Sequence, residues 1–321
     1  MKRRTFVSGA AAATALGLVP SWAQEKFPSK PIEVVTHAGA GGGTDITARM
    51  MMVHAPAVFG TELVVANRVG GSGAAALAYA AGRPRDGYTI LLVTQSHLLT
   101  ILQGKSAVKY DEFVALARAT ADPQVLMVGK ASPVKSVQEL VAAGKAKKLK
   151  VGVTQMGGVD HISLLGFARK AGFQVPTPIP FRGGGDIVIN VVSGNLDLGM
   201  LNYAEAESQI KAGDVRPMMV LAAKRLKVLP DVPTAKELGI DAEYDTVRGF
   251  VTLKGTPEDR LKTLEEGLIK AMKGQMYSAY IETSGQAADS VVGRAAWQAQ
   301  LDTMYREAES ELKTLSAAAP K

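Results

Sequence analysis

An open α/β architecture in two lobes is what this chain predicts. Strand-like and helix-like segments alternate for most of the 321 residues, and glycine-rich loops stand where strands give way to helices. The length remaining after an N-terminal leader suits two domains. The leader is Met1-Lys2-Arg3-Arg4-Thr5-Phe6-Val7, a weakly apolar run from Gly9 to Val19, and the small-residue site Ser21-Trp22-Ala23. That order of basic, apolar and cleavable stretches reads as an export signal over residues 1–23, placing the mature protein in the periplasm. Arg3-Arg4 with Phe6 leans towards the twin-arginine route; Lys2, where serine or threonine is usual, leaves Sec export as the alternative.

Of the 321 residues, 298 remain without the leader, and losing its three basic residues lowers the formal net charge from +7 to +4. The remaining charge is spread along the chain, unlike the clustered basic face of a nucleic-acid binder. No cysteine is present, which excludes disulfides, thiolate nucleophiles and cysteine metal sites. After Val19 no apolar run reaches the length of a membrane span.

Ile32–Thr36 reads as a strand, Asp45 to about Val58 as a helix, and Glu62–Ala66 as a second strand. Ala74–Ala81 is helical, and Tyr88–Thr94 is a nearly continuous apolar strand, as expected where both faces of a parallel sheet are covered. Further strands are expected at Leu126–Val128, Leu149–Thr154, Leu196–Leu201 and Arg216–Ala223. The helix Val137–Ala146 opens with the capping pattern Ser136-Val137-Gln138-Glu139. Thr256-Pro257-Glu258-Asp259 predicts a threonine-capped helix with proline at its first position, and Arg294–Leu315 a long charged one. The chain crosses between lobes near Thr120–Gln124 and returns between Pro230 and Tyr244. The expected division is residues 24–124 plus 245–321 in one domain and 125–244 in the other.

The segment 36–49, THAGAGGGTDITAR, holds four glycines in five positions between a strand and a helix. Glycines admit close backbone approach, and free N–H groups at a helix N-terminus attract a small anion. Thr44 stands where G-x-G-x-x-G needs glycine, and no G-K-[ST] follows, so a nucleotide phosphate is unsupported. Similar loops recur at Gly70–Gly73, at Thr154–His161 and at Phe181–Asp186, which suggests a shared cleft. The histidines at 37, 54, 97 and 161 have no metal-ligand spacing, and Ser72 lacks the glycine at 74 that a nucleophile elbow needs. An enzyme is therefore not expected, and neither is a metal or cofactor.

The segments GGGTDITAR, NRVGGSGAAALAYAAGRPRDGYTILL, FRGGGDIVINVVSGNLDLGM and LPDVPTAKELGI, in this order between about residues 30 and 310, resemble one family. It is that of the extracytoplasmic solute receptors of tripartite tricarboxylate transporters, also called Bug proteins. The resemblance implies a two-lobed, type II (Venus flytrap) periplasmic binding protein with two mostly parallel sheets flanked by helices. It also implies closure on a small organic acid, whose carboxylate is held largely by backbone donors of two glycine loops. Carried over by position, the first loop is Gly41, Gly42, Gly43, Thr44 and Asp45. The second lobe contributes Gln155, Gly157, Gly158 and His161, then Arg182 and Gly184, with Asn202 and Tyr203 ending a strand. His37 and Ala38 depart from the proline and aromatic residue common there, and Arg248 falls in a segment that often carries an aromatic residue.

Ser96 and His97, after the strand ending at Thr94, are expected in the cleft, since strand ends of an α/β lobe face ligands. Asp45 reads as a helix cap before a ligand contact. Arg182 and Arg248 offer planar forks for a distal carboxylate. The expected function is a monomeric receptor that delivers a small carboxylate to integral-membrane transporter subunits, one large and one small. A sensor feeding a signalling receptor and a secreted α/β hydrolase are the competing readings.

Overall fold

The computed structural model describes residues 26–153, 156, 159–181, 184–287 and 289–318. The elements in chain order are β1 (Ile32–Thr36), α1 (Gly43–Met52), α2 (Ala55–Phe59), β2 (Leu63–Asn67), α3 (Ala74–Ala81), β3 (Thr89–Val93) and α4 (Gln95–Leu102). There follow β4 (Phe113–Gly129), α5 (Val137–Ala146), β5 (Lys150–Val153), α6 (Val159–Ala171), β6 (Thr177–Pro180), α7 (Gly184–Val192), β7 (Leu198–Asn202) and α8 (Tyr203–Lys211). The chain closes with β8 (Val215–Val220), β9 (Asp245–Leu253), α9 (Glu258–Met272), α10 (Gln275–Thr283), β10 (Val292–Gly293) and α11 (Arg294–Ala318).

The strands run in the order β2-β1-β3-β9-β4-β7-β5-β6, with β8 and β10 also on β4. Pairing is parallel among β2, β1 and β3 and again among β7, β5 and β6. Around β4 and β9 it is antiparallel. The 17-residue β4 belongs to both halves: it pairs with β9 up to Pro123, then with β7 from Gln124 onward. Its period-two alternation serves two cores at once. Val125 and Met127 face Ile187 and Val191 of α7, while Leu126 and Val128 face Phe167 and the Val151–Val153 strand. In the other half Ile32 and Val34 pack on α1 and α9, and Val35 packs on α3 with Trp297 of α11. Burying each such aliphatic side chain stabilises by roughly 1.5–3 kcal/mol. Trp297 lies flat on β9 because Gly249 has no side chain; a Cβ there would come within 2.3 Å of the indole.

Several expected elements differ in detail. The helix foreseen over 45–58 is two helices, α1 and α2, because Pro56 stands in the first turn of the second and cannot continue the first. Ser136 caps α5 through Glu139 N, but Glu139 turns to Lys135 N in place of completing the reciprocal bond. Thr256 does not cap α9: Pro257 takes the cap position, and the threonine hydroxyl donates to Leu253 O. Among the described residues no helix is long and apolar enough to cross a membrane.

Candidate functional site

The first glycine loop is built around Asp45. Its Oδ2 accepts from Gly41 N at 2.9 Å and from Arg49 Nε at 2.8 Å, while Oδ1 accepts from Asn67 Nδ2 at 2.9 Å. Asn67 Nδ2 also reaches Ala38 O, and Gly42 N donates to Gly39 O. Gly41 adopts φ +80°, a left-handed turn that glycine takes without strain. Only 1% exposed, Asp45 is drawn down to about 2, first by the hydrogen bond from Arg49. Both its oxygens are committed, so Asp45 shapes the loop and is not free to meet a ligand. The loop delivers α1 with Gly42 at the cap and no side chain capping it. The N–H groups of Gly43 and Thr44 have no acceptor among the described residues.

The cleft floor is one face of the two crossing strands. In register, Thr120 stands opposite Arg248, Asp122 opposite Thr246, and Gln124 opposite Asn202. Alternation therefore puts these polar side chains on one side of the ribbon, with Ala119, Ala121 and Val247 on the apolar side. The side chain of Arg248 is 11% and that of Asp122 8% exposed. Arg248 Nη1 lies 3.4 Å from both Thr120 Oγ1 and Asp122 Oδ2, and its buried Nε has no partner among the described residues. Its Nη2 sits where a Cβ on Gly43 would be only 2.9 Å away. The absent side chain at position 43 thus admits a guanidinium to the start of α1.

Acids crowd the far side. Burial raises Asp122 to about 7 against the opposing pull of Arg248. Desolvation of its carboxyl raises Glu205 too, although that residue as a whole is exposed. Glu205 Oε2 accepts from Asn202 N at 2.9 Å; the bare Gly184 makes room for the carboxyl, since a Cβ there would lie 2.3 Å from Glu205 Oε1. Asn202 itself is fully engaged: Nδ2 donates to Asp122 O and Pro123 O, and Oδ1 accepts from Thr246 Oγ1. It fastens the two crossing strands and has no amide group left for a ligand. Gln124 Nε2 donates to Asp160 Oδ1 on α6.

His37 and His97, 60 positions apart, meet edge to face with centroids 4.5 Å apart. Burial, then the charge of Arg248, lowers His37 to about 4, so it is neutral at physiological pH. His97 is wholly buried beneath it and against Gly73; its Nδ1 accepts from Thr94 N, and burial holds its pKa well below the ordinary range. It supports the loop from behind and does not reach the cleft surface. Ser96 lies in the first turn of α4, with its N–H on Thr94 Oγ1. His161 is buried on α6, where desolvation lowers its pKa. The export signal, Gln155, Gly157, Gly158 and Arg182 lie outside the described residues.

Of the residues singled out in the sequence, the structure brings Gly43 against Arg248, and Gly184 and Asn202 together at Glu205. Sequence reasoning missed Asp122, Gln124 and Glu205. The available signals were the polar interruption Asp122-Pro123-Gln124 within an apolar run and the N-x-x-E cap Asn202–Glu205. Among the described residues no group of three or more histidine or acidic side chains is placed to hold a metal ion.

Two α/β halves sharing one long strand, with helix N-termini and a charged ribbon between them, define a two-lobed solute-binding protein. The chain belongs to the tripartite tricarboxylate transporter family of receptors, whose family model matches residues 47–304. A UPF0065 protein encoded in the gbd 5′ region of Cupriavidus necator is 30% identical over 283 residues, 85% of each chain. A TctC solute-binding protein from Polaromonas superposes with a TM-score of 0.78 at 26% identity, covering 90% of this chain and 99% of that one. MatC from Rhodopseudomonas palustris, solved with bound malate, has a TM-score of 0.74 at 24% identity, covering 89% and 99%.

Proposed function

We propose that this receptor holds a small organic acid by its carboxylate between Arg248 and the free amides that open α1, and passes it to a membrane transporter. The observation that carries this reading is Arg248: a buried guanidinium with an unpartnered Nε and only 3.4 Å contacts, pressed against an uncapped helix N-terminus. A carboxylate there would supply the acceptors that these donors lack. Arg248 then serves the same carboxylate as the helix, not the distal one that its sequence position first suggested. Carboxylate binding agrees with the family, and with the malate bound to MatC, which shares the fold.

The halves 24–124 plus 245–321 and 125–244 would close over the ligand, with Gln155, Gly157, Gly158 and Arg182 entering from the second half. Ligand that binds the closed form more tightly shifts the equilibrium towards it. The exported protein acts as a monomer without catalysis, and large and small membrane subunits read the closed shape.

The test is a thermal-shift screen of the mature chain against organic acids, followed by calorimetry on Arg248→Lys. Lysine keeps the charge beside Asp122 but loses the planar fork. The expected result is about a ten-fold or greater loss of affinity, as for one charged hydrogen bond. Unchanged affinity would remove Arg248 from the site; stabilisation by neutral sugars and by no acid would remove the carboxylate.

A further inference from the structure

The polar ribbon that holds Arg248 also carries two buried acceptors with nothing to accept from. Among the described residues, Asp122 Oδ1 and Gln124 Oε1 have no hydrogen-bond partner. Asp122 is 5% and Gln124 1% exposed, and they occupy alternate positions on the same face of β4. Their other polar atoms are in use: Asp122 Oδ2 faces Arg248 at 3.4 Å, and Gln124 Nε2 donates to Asp160 at 3.1 Å. A buried acceptor left bare is destabilising, so such an atom in a cleft marks where a ligand's donor belongs.

The charges agree with the acceptors. Glu205 acts on Asp122 and Asp160 acts on Glu205, and among the described residues Arg248 is the cation acting on both Asp122 and Glu205. A ligand carboxylate consumes that guanidinium and leaves the two acids with no other cation acting on both among the described residues. A second ligand carboxylate on this side would meet like charge in a desolvated place. A ligand cation would meet its complement.

We infer that the preferred ligand is a carboxylate with a hydrogen-bond donor, foremost an ammonium group, on the adjacent carbon: a 2-amino acid, with 2-hydroxy acids next. The inference rests on the carboxylate reading above. Adjacency follows from proximity: a carboxylate bound by Arg248 lies beside Asp122, whose Oδ2 is 3.4 Å from Nη1, so a donor on the neighbouring carbon is the one held nearest to the Asp122 carboxyl. Asp122 Oδ1 and Gln124 Oε1 accept from the ammonium, with the Glu205 carboxylate behind them. Asp122 and Gln124 thereby set which acids are admitted, while Arg248 and the α1 amides hold what all acids share.

Isothermal titration calorimetry of the mature protein tests this with matched sets on one carbon skeleton. The probes are alanine, lactate and propionate; aspartate, malate and succinate; glutamate, 2-hydroxyglutarate and glutarate; phenylalanine, phenyllactate and phenylpropanoate. In the best-binding set the amino acid is expected to bind about ten-fold or more tightly than the plain acid, with the hydroxy acid between. Asp122→Asn and, separately, Gln124→Leu should shrink that ratio, the amino acid losing affinity relative to the plain acid on the same skeleton. Plain acids that bind as tightly as their amino partners would overturn the inference and leave the carboxylate reading standing. So would a ratio that survives in both variants. Binding by no acid in any set would remove both. The wild-type comparison decides the matter even if one variant does not fold.

Discussion

A methyl group at position 43 would stand 2.9 Å from Arg248 Nη2, with Gly42 and Thr44 fixing the backbone on either side. Gly43→Ala must therefore displace the guanidinium from the start of α1. The expected outcome is a roughly ten-fold weaker ligand affinity by calorimetry with a melting temperature close to wild type, because Gly43 does not use a positive φ. Equal affinity would mean that Arg248 and the α1 amides do not share one carboxylate. Asp45 illustrates the opposite role, with both oxygens spent inside the loop. Position 45 was legible as polar and N-terminal in its helix. What its oxygens touch was not, because Asn67 comes from the next strand, 22 residues on.

At the scale of elements, the crossing of β4 and β9 is held by Asn202. Its amide spans two carbonyls of β4 and a hydroxyl of β9 at the place where β4 changes partners. Asn202→Ala leaves those buried groups unpaired and should destabilise the protein by about 1–3 kcal/mol in a denaturant titration. A loss well under this range would show that the crossing is held by ladder bonds alone. The short parallel strands were readable because branched apolar runs such as Ile32–Thr36 and Thr89–Val93 are covered on both faces. The first half of β4 and all of β9 were not. Phe113–Ala121 has alanine at every second position from Ala115 and an arginine among them, and its strand geometry comes from pairing with β9, 126 to 140 residues away, not from local preference. The break at Pro56 followed from a residue in plain view, whereas the cap of α9 depended on Thr256 turning back to Leu253.

Over the whole molecule, the buried Asp122 makes a contribution to stability that depends on pH in a direction opposite to ordinary acid denaturation. Asp122 has an ordinary value of 3.8 and a folded value of about 7. Between those limits the native state binds more protons than the unfolded chain, so this contribution is full below about 4 and is lost as pH rises through 7. The empty protein should therefore lose melting temperature from pH 5 to 8, and Asp122→Asn should flatten the slope. An identical slope in the variant would place the titration elsewhere. Saturating ligand at 100 times its Kd should add about 2.7 kcal/mol, and small-angle scattering should record contraction if the two halves close. A bound state with an unchanged radius of gyration would refute closure.

The amino-acid sequence by itself determined the α/β class, the glycine-rich loop between β1 and α1, the absence of cysteine chemistry and the receptor family. These are local or patterned properties: apolar periodicity, turn residues and segments in a fixed order. Only the tertiary structure decided that Gly43 makes room for an arginine 205 positions away, that Asn202 is a fastener, and that Asp122, Gln124 and Glu205 line the same cleft. Those residues are brought together by one long strand shared between two halves. The burial of Asp122 and Gln124, which raises the pKa of the first and leaves one acceptor bare on each among the described residues, exists only once both halves are folded around that strand.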